Sequence, residues 1–337
     1  MIYIASPVSA ATGGTELLQQ YCAIARQHGF NAVMYYYGDM PFEGSPVQKV
    51  FSHYGNPFEA EVLDNPSNAL IVPEVSPELL KQYTSIKKVF WWESVDNYPG
   101  AAIKPSFRLL GLDKSMYRLT RRYLDHRTWY RHNREWCRYE FLHAIHFVQS
   151  EYARNYVIDN LFIPSERVLS VSDYVDTSYA VEPITGEYRI NQVLFNPSKG
   201  IGVTRRIMAA GKGIMWLPLR GYTHDELRKL FQTSKVYIDF GNHPGKDRMP
   251  REAASAGCCV ITNRNGAAAN DVDVPIPSEY KFDDRFKPAD VVSLILDCFD
   301  NYDVRSQDFS SYRQVINGEK ERFESEVLRS LKVLEAM

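Results

Sequence analysis

The sequence predicts an α/β protein built from two doubly wound parallel sheets, one in each half of the chain. Three observations carry this prediction. Short apolar runs alternate with helix-spaced amphipathic segments from the first residues onward. The same alternation restarts at Gln192 after a polar stretch. The length of 337 residues exceeds what a single hydrophobic core usually serves.

The elements follow in order. Met1 to Ala5 is an apolar strand, and Ala11-Thr-Gly-Gly-Thr-Glu is a loop leading into a helix with Leu17, Leu18, Tyr21, Cys22, Ile24 and Ala25 on one face. Gly29 ends that helix, and Asn31 to Tyr37 forms the next strand. Ala69 to Val72 is a third strand, Ser76-Pro77-Glu78 opens a helix with a capping serine, and Lys88 to Trp92 is a fourth strand. Ala144 to Gln149 returns to strand, and Ser150 caps a further helix. The polar run 181–189 reads as the linker. Beyond it come a strand (Gln192 to Phe195), an Asn-Pro-Ser-Lys-Gly loop, a helix (Val203 to Ala210) and a strand (Ile214 to Leu219). A capping box, Thr223-His-Asp-Glu226, precedes the next helix. The last 25 residues place Phe323, Val327, Leu328, Leu331 and Leu334 at helical spacing. The expected division is a first domain over 1–180, a second over 181–312, and a terminal amphipathic helix over 313–337 that packs back on the first.

Composition narrows the function. Fractions of 45% hydrophobic and 24% charged residues are those of an ordinary globular protein, and a net charge of −2 gives no general reason to bind nucleic acid. Five cysteines without a C-x-x-C pair argue for reduced thiols rather than a disulfide framework or zinc site. No basic segment followed by a long apolar core opens the chain, and no run approaches 18 apolar residues, so the expectation is a cytoplasmic protein without a signal peptide or spanning helix. The stretch 104–140 stands apart, with ten Lys/Arg against four Asp/Glu and interspersed Tyr, Trp and Phe. It reads as a solvated helical face, or as a surface at the inner face of a membrane for anionic lipid headgroups or a diphosphate-lipid acceptor, or, last in order, as a nucleic-acid surface. His143 and His146 read as packed side chains, and no metal site is expected.

Residues 236–262 are the most informative. An apolar run ends in Gly-Asn-His-Pro-Gly, then Lys246, Asp247, Arg248, Arg251 and Glu252 crowd around Pro250, and a small-residue helix stops at Gly257 before a second apolar run. The reading is strand, polar loop, helix starting near Pro250, strand. Free amides and the positive dipole end at such a helix start suit an anion, and a carboxylate one turn inside suits sugar hydroxyls. Lys199 and Gly200, in a loop at the end of a strand, occupy another place where α/β folds bind anions.

The order of these pieces resembles the GT-B glycosyltransferases, in particular the large group that includes the retaining family 4 enzymes. Four segments carry the resemblance: Gly13-Gly14-Thr15-Glu16; Gln149-Ser150-Glu151-Tyr152 through Asp173-Tyr-Val-Asp176; Asn196-Pro-Ser-Lys199-Gly200; and Arg248-Met-Pro-Arg-Glu252-Ala-Ala-Ser-Ala-Gly257. The resemblance implies two Rossmann-like domains facing across a cleft. The donor would be a UDP- or GDP-linked sugar, with no metal or other cofactor required. It gives Lys199 to the phosphates and Glu252 to the ribose. Three departures stand out. The acid that the group places seven residues before Glu252 would fall near Pro244 or Gly245 and is absent, leaving Asp247 as the nearest acid. The arginine ahead of the Lys-Gly pair is absent, leaving Arg248 or Arg220 as the second positive charge. No histidine lies on the fourth strand, where Glu93 and Asp96 sit instead.

The expected function is transfer of a sugar from the nucleotide donor to a saccharide, polysaccharide or lipid-linked acceptor. Lys199 and Arg248 would balance charge on the departing diphosphate. Glu93 and Asp96 would act as a general base and its neighbour, or bind acceptor hydroxyls, or cap a helix. Gly13 and Gly14 would let the backbone approach a phosphate or acceptor, or form a tight turn. Tyr222 would stack on the base or pack in its loop. A nucleotide-sugar epimerase of the same fold and a non-catalytic binding protein are the alternatives.

Overall fold

The computed structural model describes residues 1–8, 10–39, 45–101, 115–180 and 185–337. Two parallel sheets organise the chain, one of seven strands and one of five. Two compact units form around them. The first comprises Met1–Ala101, His126–Asp173 and Glu321–Met337, and the second Ala102–Asp125 and Tyr174–Lys320. The expected linker residues 181–184 and the start of the basic stretch, 104–114, lie outside the described residues.

In the first unit the strands are β1 (Ile2–Pro7), β2 (Ala32–Tyr37), β3 (Phe58–Glu59), β4 (Ala69–Pro73), β5 (Lys87–Trp92), β6 (Ile145–Val148) and β7 (Val168–Ser170). They lie in the order β3-β2-β1-β4-β5-β6-β7. The order reverses between β1 and β4, and a doubly wound sheet opens a crevice at the carboxyl ends of its strands where that happens. Helix α1 (Gly13–Gln27) follows β1, and Thr12 caps it through a reciprocal bond with Thr15. The segment after Ser76 is a 3-10 helix over Pro77–Gln82, and the serine makes no capping bond. Helices α2 (Ser115–His143) and α3 (Glu151–Asn155) flank β6, with Ser150 capping α3 as the sequence predicts.

Aromatic residues fill the core of this unit. Trp91 and Trp92 are fully buried, and Trp92 Nε1 donates to His146 Nδ1 at 2.9 Å. The other imidazole nitrogen of His146 reaches the Phe141 carbonyl at 2.8 Å. Nδ1 therefore accepts and Nε2 donates, which is the neutral tautomer. Burial lowers the pKa of this histidine to about 4, so it is a packed core residue.

The second unit carries β8 (Ile190–Phe195), α4 (Ile201–Ala210), β9 (Met215–Pro218), α5 (His224–Thr233), β10 (Ser234–Asp239), α6 (Arg248–Ser255), β11 (Cys259–Asn263) and β12 (Lys281–Phe282). Helices α7 (Pro288–Asp300), α8 (Tyr302–Arg305) and α9 (Ser310–Asn317) follow, and α10 (Glu319–Ala336) carries the chain back to the first unit. The strand order is β12-β11-β10-β8-β9, so this sheet reverses between β8 and β10. Thr223 and Glu226 form the predicted capping box of α5. The three strands not predicted from sequence, β3, β7 and β12, are two or three residues long, too short for alternation to register.

All five cysteines are buried and unpaired. Among the described residues no helix is long and apolar enough to cross a membrane.

One buried ion cluster ties the second unit to the start of α10. Arg251, only 1% exposed, donates to Glu319 at 2.8 Å, and Lys246 reaches the same carboxylate at 2.9 Å. Arg251 also donates to the Lys246 carbonyl at 2.9 Å and to the Asp247 carbonyl at 3.2 Å. Burying these charges is costly, and removing one partner strands the others. Replacing Glu319 with Ala is therefore expected to destabilise the protein by about 3–5 kcal/mol, read as a lower urea midpoint.

Candidate functional site

The reversal point of the second sheet is where the predicted donor residues converge. β8 ends at Phe195 and the chain turns through Asn196, whose Oδ1 accepts from the Ser198 amide at 2.9 Å. Gly200 has φ +58, and a Cβ there would lie 2.1 Å from the Phe240 carbonyl oxygen. The Lys199-Gly200 loop thus crosses directly against the backbone at the end of β10, an approach only glycine permits. On the other side, a Cβ at Gly241 would stand 2.9 Å from Lys199 Cβ. The two loops are interlocked, and the Lys199 ammonium reaches across to Asp247.

Asp247 is the hub of a chain of charge. Its second oxygen pairs with His243 Nδ1 at 2.9 Å. His243 Nε2 lies 3.3 Å from the Asp239 carbonyl oxygen and 3.8 Å from Asp239 Oδ1. Asp239 in turn accepts from the Gly241 amide at 2.9 Å and from the Tyr237 hydroxyl at 3.0 Å. Burial works against ionisation of Asp247, but the His243 hydrogen bond and the Lys199 charge outweigh it and hold the carboxyl well below the usual range. Burial likewise opposes charge on His243, yet Asp239 and Asp247 raise its pKa. Asp239, His243, Asp247 and Lys199 thus alternate as acid, imidazole, acid and amine, and the two acids favour the protonated form of His243. Asp239, His243 and Asp247 are close enough together to suggest a metal cluster. Their ligating atoms, however, serve one another and Lys199, whose ammonium is the cation this group holds.

The loop that carries His243 is itself constrained. His243 has φ +47, and the Ala267 amide donates to its carbonyl at 2.8 Å. A Cβ at Gly266 would come within 2.0 Å of that same oxygen. Asn263 Nδ2 donates to the Gly241 carbonyl at 2.7 Å.

Helix α6 begins at Arg248, two residues before Pro250, so the proline sits in the first turn, where its missing amide still costs no bond. Glu252, 5% exposed, lies 3.5 Å from Arg248 Nε. Burial and then the Glu252 charge raise the pKa of Tyr179. Lys199 with Asp247, and Arg248 with Glu252, thus pair in the loops and helix start that follow β8 and β10, with Pro250 in the same turn. Arg220 and Tyr222 follow β9, the neighbour of β8, and are exposed in the adjoining loop.

In the first unit the reversal point brings together Gly13, Gly14 and Glu93. Glu93 follows β5 and is buried, and a Cβ on Gly14 would lie 2.1 Å from Glu93 Oε2. Glu74, at the end of β4, accepts from the amides of Glu93 at 2.9 Å and Ser94 at 3.1 Å. Asp96, three residues beyond Glu93, accepts from the Tyr152 hydroxyl at 3.2 Å. Burial and then Asp96 raise that phenol to about 12.

Sequence reading did not single out Glu74, Asp239, His243 or Glu319. Glu74 carries a recoverable signal, an acid directly after an apolar run at a strand's carboxyl end. His243 and Glu319 carry none, because their partners are set by loop geometry.

No family model matches the chain, and no curated protein matches it in sequence. Solved structures do match. A glycosyltransferase from Rickettsia africae superposes with a TM-score of 0.63 at 12% identity, covering 99% of this chain and 97% of that one. Anabaena Alr3699/HepE, solved in complex with UDP, gives 0.59 at 11% identity over 98% and 99% of the two chains. WaaG, a glycosyltransferase involved in lipopolysaccharide biosynthesis, gives 0.55 at 11% identity over 99% of each. The chain therefore has the fold of the GT-B glycosyltransferases.

Two outcomes follow from the geometry of the second unit. Gly200→Ala is expected to cost at least about 1–2 kcal/mol from the left-handed backbone alone, measured by chemical denaturation. The depressed pKa of Asp247 contributes stability that is present above its unfolded value and lost as pH falls through the folded one. Asp247→Asn should therefore be less stable than wild type by on the order of 2 kcal/mol at pH 7. The gap should narrow as unfolding is repeated below about pH 4.

Proposed function

We propose that this protein is a glycosyltransferase that takes a sugar from a UDP- or GDP-linked donor held by the second unit and delivers it to an acceptor held by the first. The observation that carries the reading is the convergence of Lys199, Arg248 and Glu252 at the β8/β10 reversal, with Asp247 and His243 fixing the lysine. Lys199, Arg248 and the free amides at the start of α6 would stabilise charge on the departing diphosphate, and would do so best because they are held in place beforehand. Glu252 would hold the ribose. Arg220 and Tyr222 would meet the base from the β9 loop. The GT-B fold and neighbours such as HepE, solved with UDP, support this assignment.

In the first unit the backbone of Gly13 and Gly14 would line the acceptor side, and Glu93 would take the proton of the attacking hydroxyl, with Asp96 nearby on the same loop. The acceptor is proposed to be a polysaccharide or glycolipid. Helix α2 supports this, since its later turns expose Arg131, His132, Arg134 and Arg138 together with Tyr139 and Leu142. Basic and amphipathic side chains on one surface suit an anionic membrane face.

A thermal-shift panel of UDP, GDP and their sugars tests the donor site, because a ligand specific to the native state raises its apparent stability. One nucleotide should raise Tm. The rise should be lost or halved in Lys199→Ala and Glu252→Ala, and a flat panel on folded protein would refute the reading. For the membrane face, co-sedimentation with vesicles containing anionic phosphatidylglycerol should exceed that with phosphatidylcholine alone, and fall in an Arg131, Arg134, Arg138 triple alanine variant.

A further inference from the structure

Lys199 and Asp247 are unequal partners. The lysine side chain keeps 35% of its surface exposed and the aspartate 16%, so a solute reaches the ammonium more readily than the carboxylate. The stem of the lysine is held, since a Cβ on Gly241 would lie 2.9 Å from Lys199 Cβ and 3.3 Å from its Cδ. Only the end of the side chain is outside that grip. The charge can therefore exchange neighbours while the loop stays in place.

Asp247 is fixed from both sides. It stands at the residue before α6, with one carboxylate oxygen on Lys199 and the other 2.9 Å from His243 Nδ1. The His243 side chain is 2% exposed, and its backbone carbonyl accepts from the Ala267 amide at 2.8 Å. Burial opposes ionisation of Asp247, and the His243 hydrogen bond lowers its pKa ahead of the Lys199 charge. The carboxylate thus keeps a partner when the lysine turns elsewhere.

We propose that Asp247 is a built-in counter-anion, which holds the Lys199 ammonium until a phosphate of the bound nucleotide takes its place, and that His243 keeps Asp247 paired once the lysine has left. The inference rests on the donor-site reading above. At rest the pair spares a half-buried ammonium the cost of standing alone. On binding, the diphosphate of a nucleotide sugar brings two negative charges against the one on the carboxylate, and charge-assisted bonds from lysine to phosphate are strong. A singly charged anion has no such advantage over Asp247. Both Asp247 oxygens are engaged within the protein, so this residue is not a substitute for the sugar-binding acid that is absent near Pro244 and Gly245.

Isothermal titration calorimetry of UDP, GDP and inorganic pyrophosphate tests the exchange, on variants that circular dichroism shows to be folded at the working temperature. Asp247→Asn should tighten the binding of the ligand that wild type takes by about threefold or more, even though the variant is less stable. His243→Gln should act in the opposite sense, because Asp247 then has Lys199 as its main support and gives it up less easily. Once Asp247 has been neutralised, the His243→Gln substitution should have no further effect on Kd, which is the non-additivity expected of residues acting through one another.

Unchanged or weaker binding in Asp247→Asn, or effects of the two substitutions that simply add, would overturn the counter-anion while leaving the transferase reading standing. If Asp247→Asn does not fold, His243→Gln decides, and binding no weaker than wild type overturns the proposal. Pyrophosphate that binds tighter to Asp247→Asn, with neither nucleotide bound by any variant, would keep the counter-anion and overturn the donor-site reading. No binding of any of the three ligands would overturn both.

Discussion

The second half of this protein depends on Asp247 holding Lys199 on one side and His243 on the other. Alone, each of these groups would be costly to bury, since an unpaired charge in a protein interior pays desolvation without return. Together they form a series from Asp239 through His243 and Asp247 to Lys199 in which acidic and basic side chains alternate. The series spans the point where the strand order reverses, so it both closes the crevice between two loops and sets a cation at its mouth. Gly200, Gly241 and Gly266 are the backbone side of the same constraint, because each stands where a side chain would collide with the opposing loop.

The two sheets solve one problem twice with different chemistry. Each is all parallel, each reverses once, and each places its unusual residues at the carboxyl ends on either side of the reversal. In the second unit those residues are charged pairs around a helix start, which suits an anion. In the first they are carboxyl groups beside the glycine-led start of a helix.

Buried charge is also used structurally. Arg251, Lys246 and Glu319 satisfy one another and a pair of backbone carbonyls out of solvent. They connect the loop before α6 to the start of α10. Removal of any one would be felt in the loop before α6, since Lys246 and Asp247 are adjacent in sequence.

Much of this was legible in the chain. Alternating apolar runs marked the longer strands, and Thr223 with Glu226, and Ser150, marked helix starts that the structure shows with the predicted bonds. Lys199, Arg248 and Glu252 could be nominated because a lysine after a strand and a glutamate early in a helix have meaning at short range. The start of α6 was displaced because Pro250 is tolerated throughout the first turn, not only at its first position. Ser76 looked like a cap but makes no capping bond, since the segment it precedes is a 3-10 turn. What the sequence by itself determined is periodicity, caps and the local character of each loop, because these depend on neighbours within a few residues. Only the tertiary structure decided that Asp247 meets Lys199 and His243, that Glu319 reaches Arg251 from 68 residues away, and that Glu93 lies against Gly14 beside Glu74. Those pairings are settled by strand order and by which loops cross at a sheet's reversal, and no short stretch of sequence contains that information.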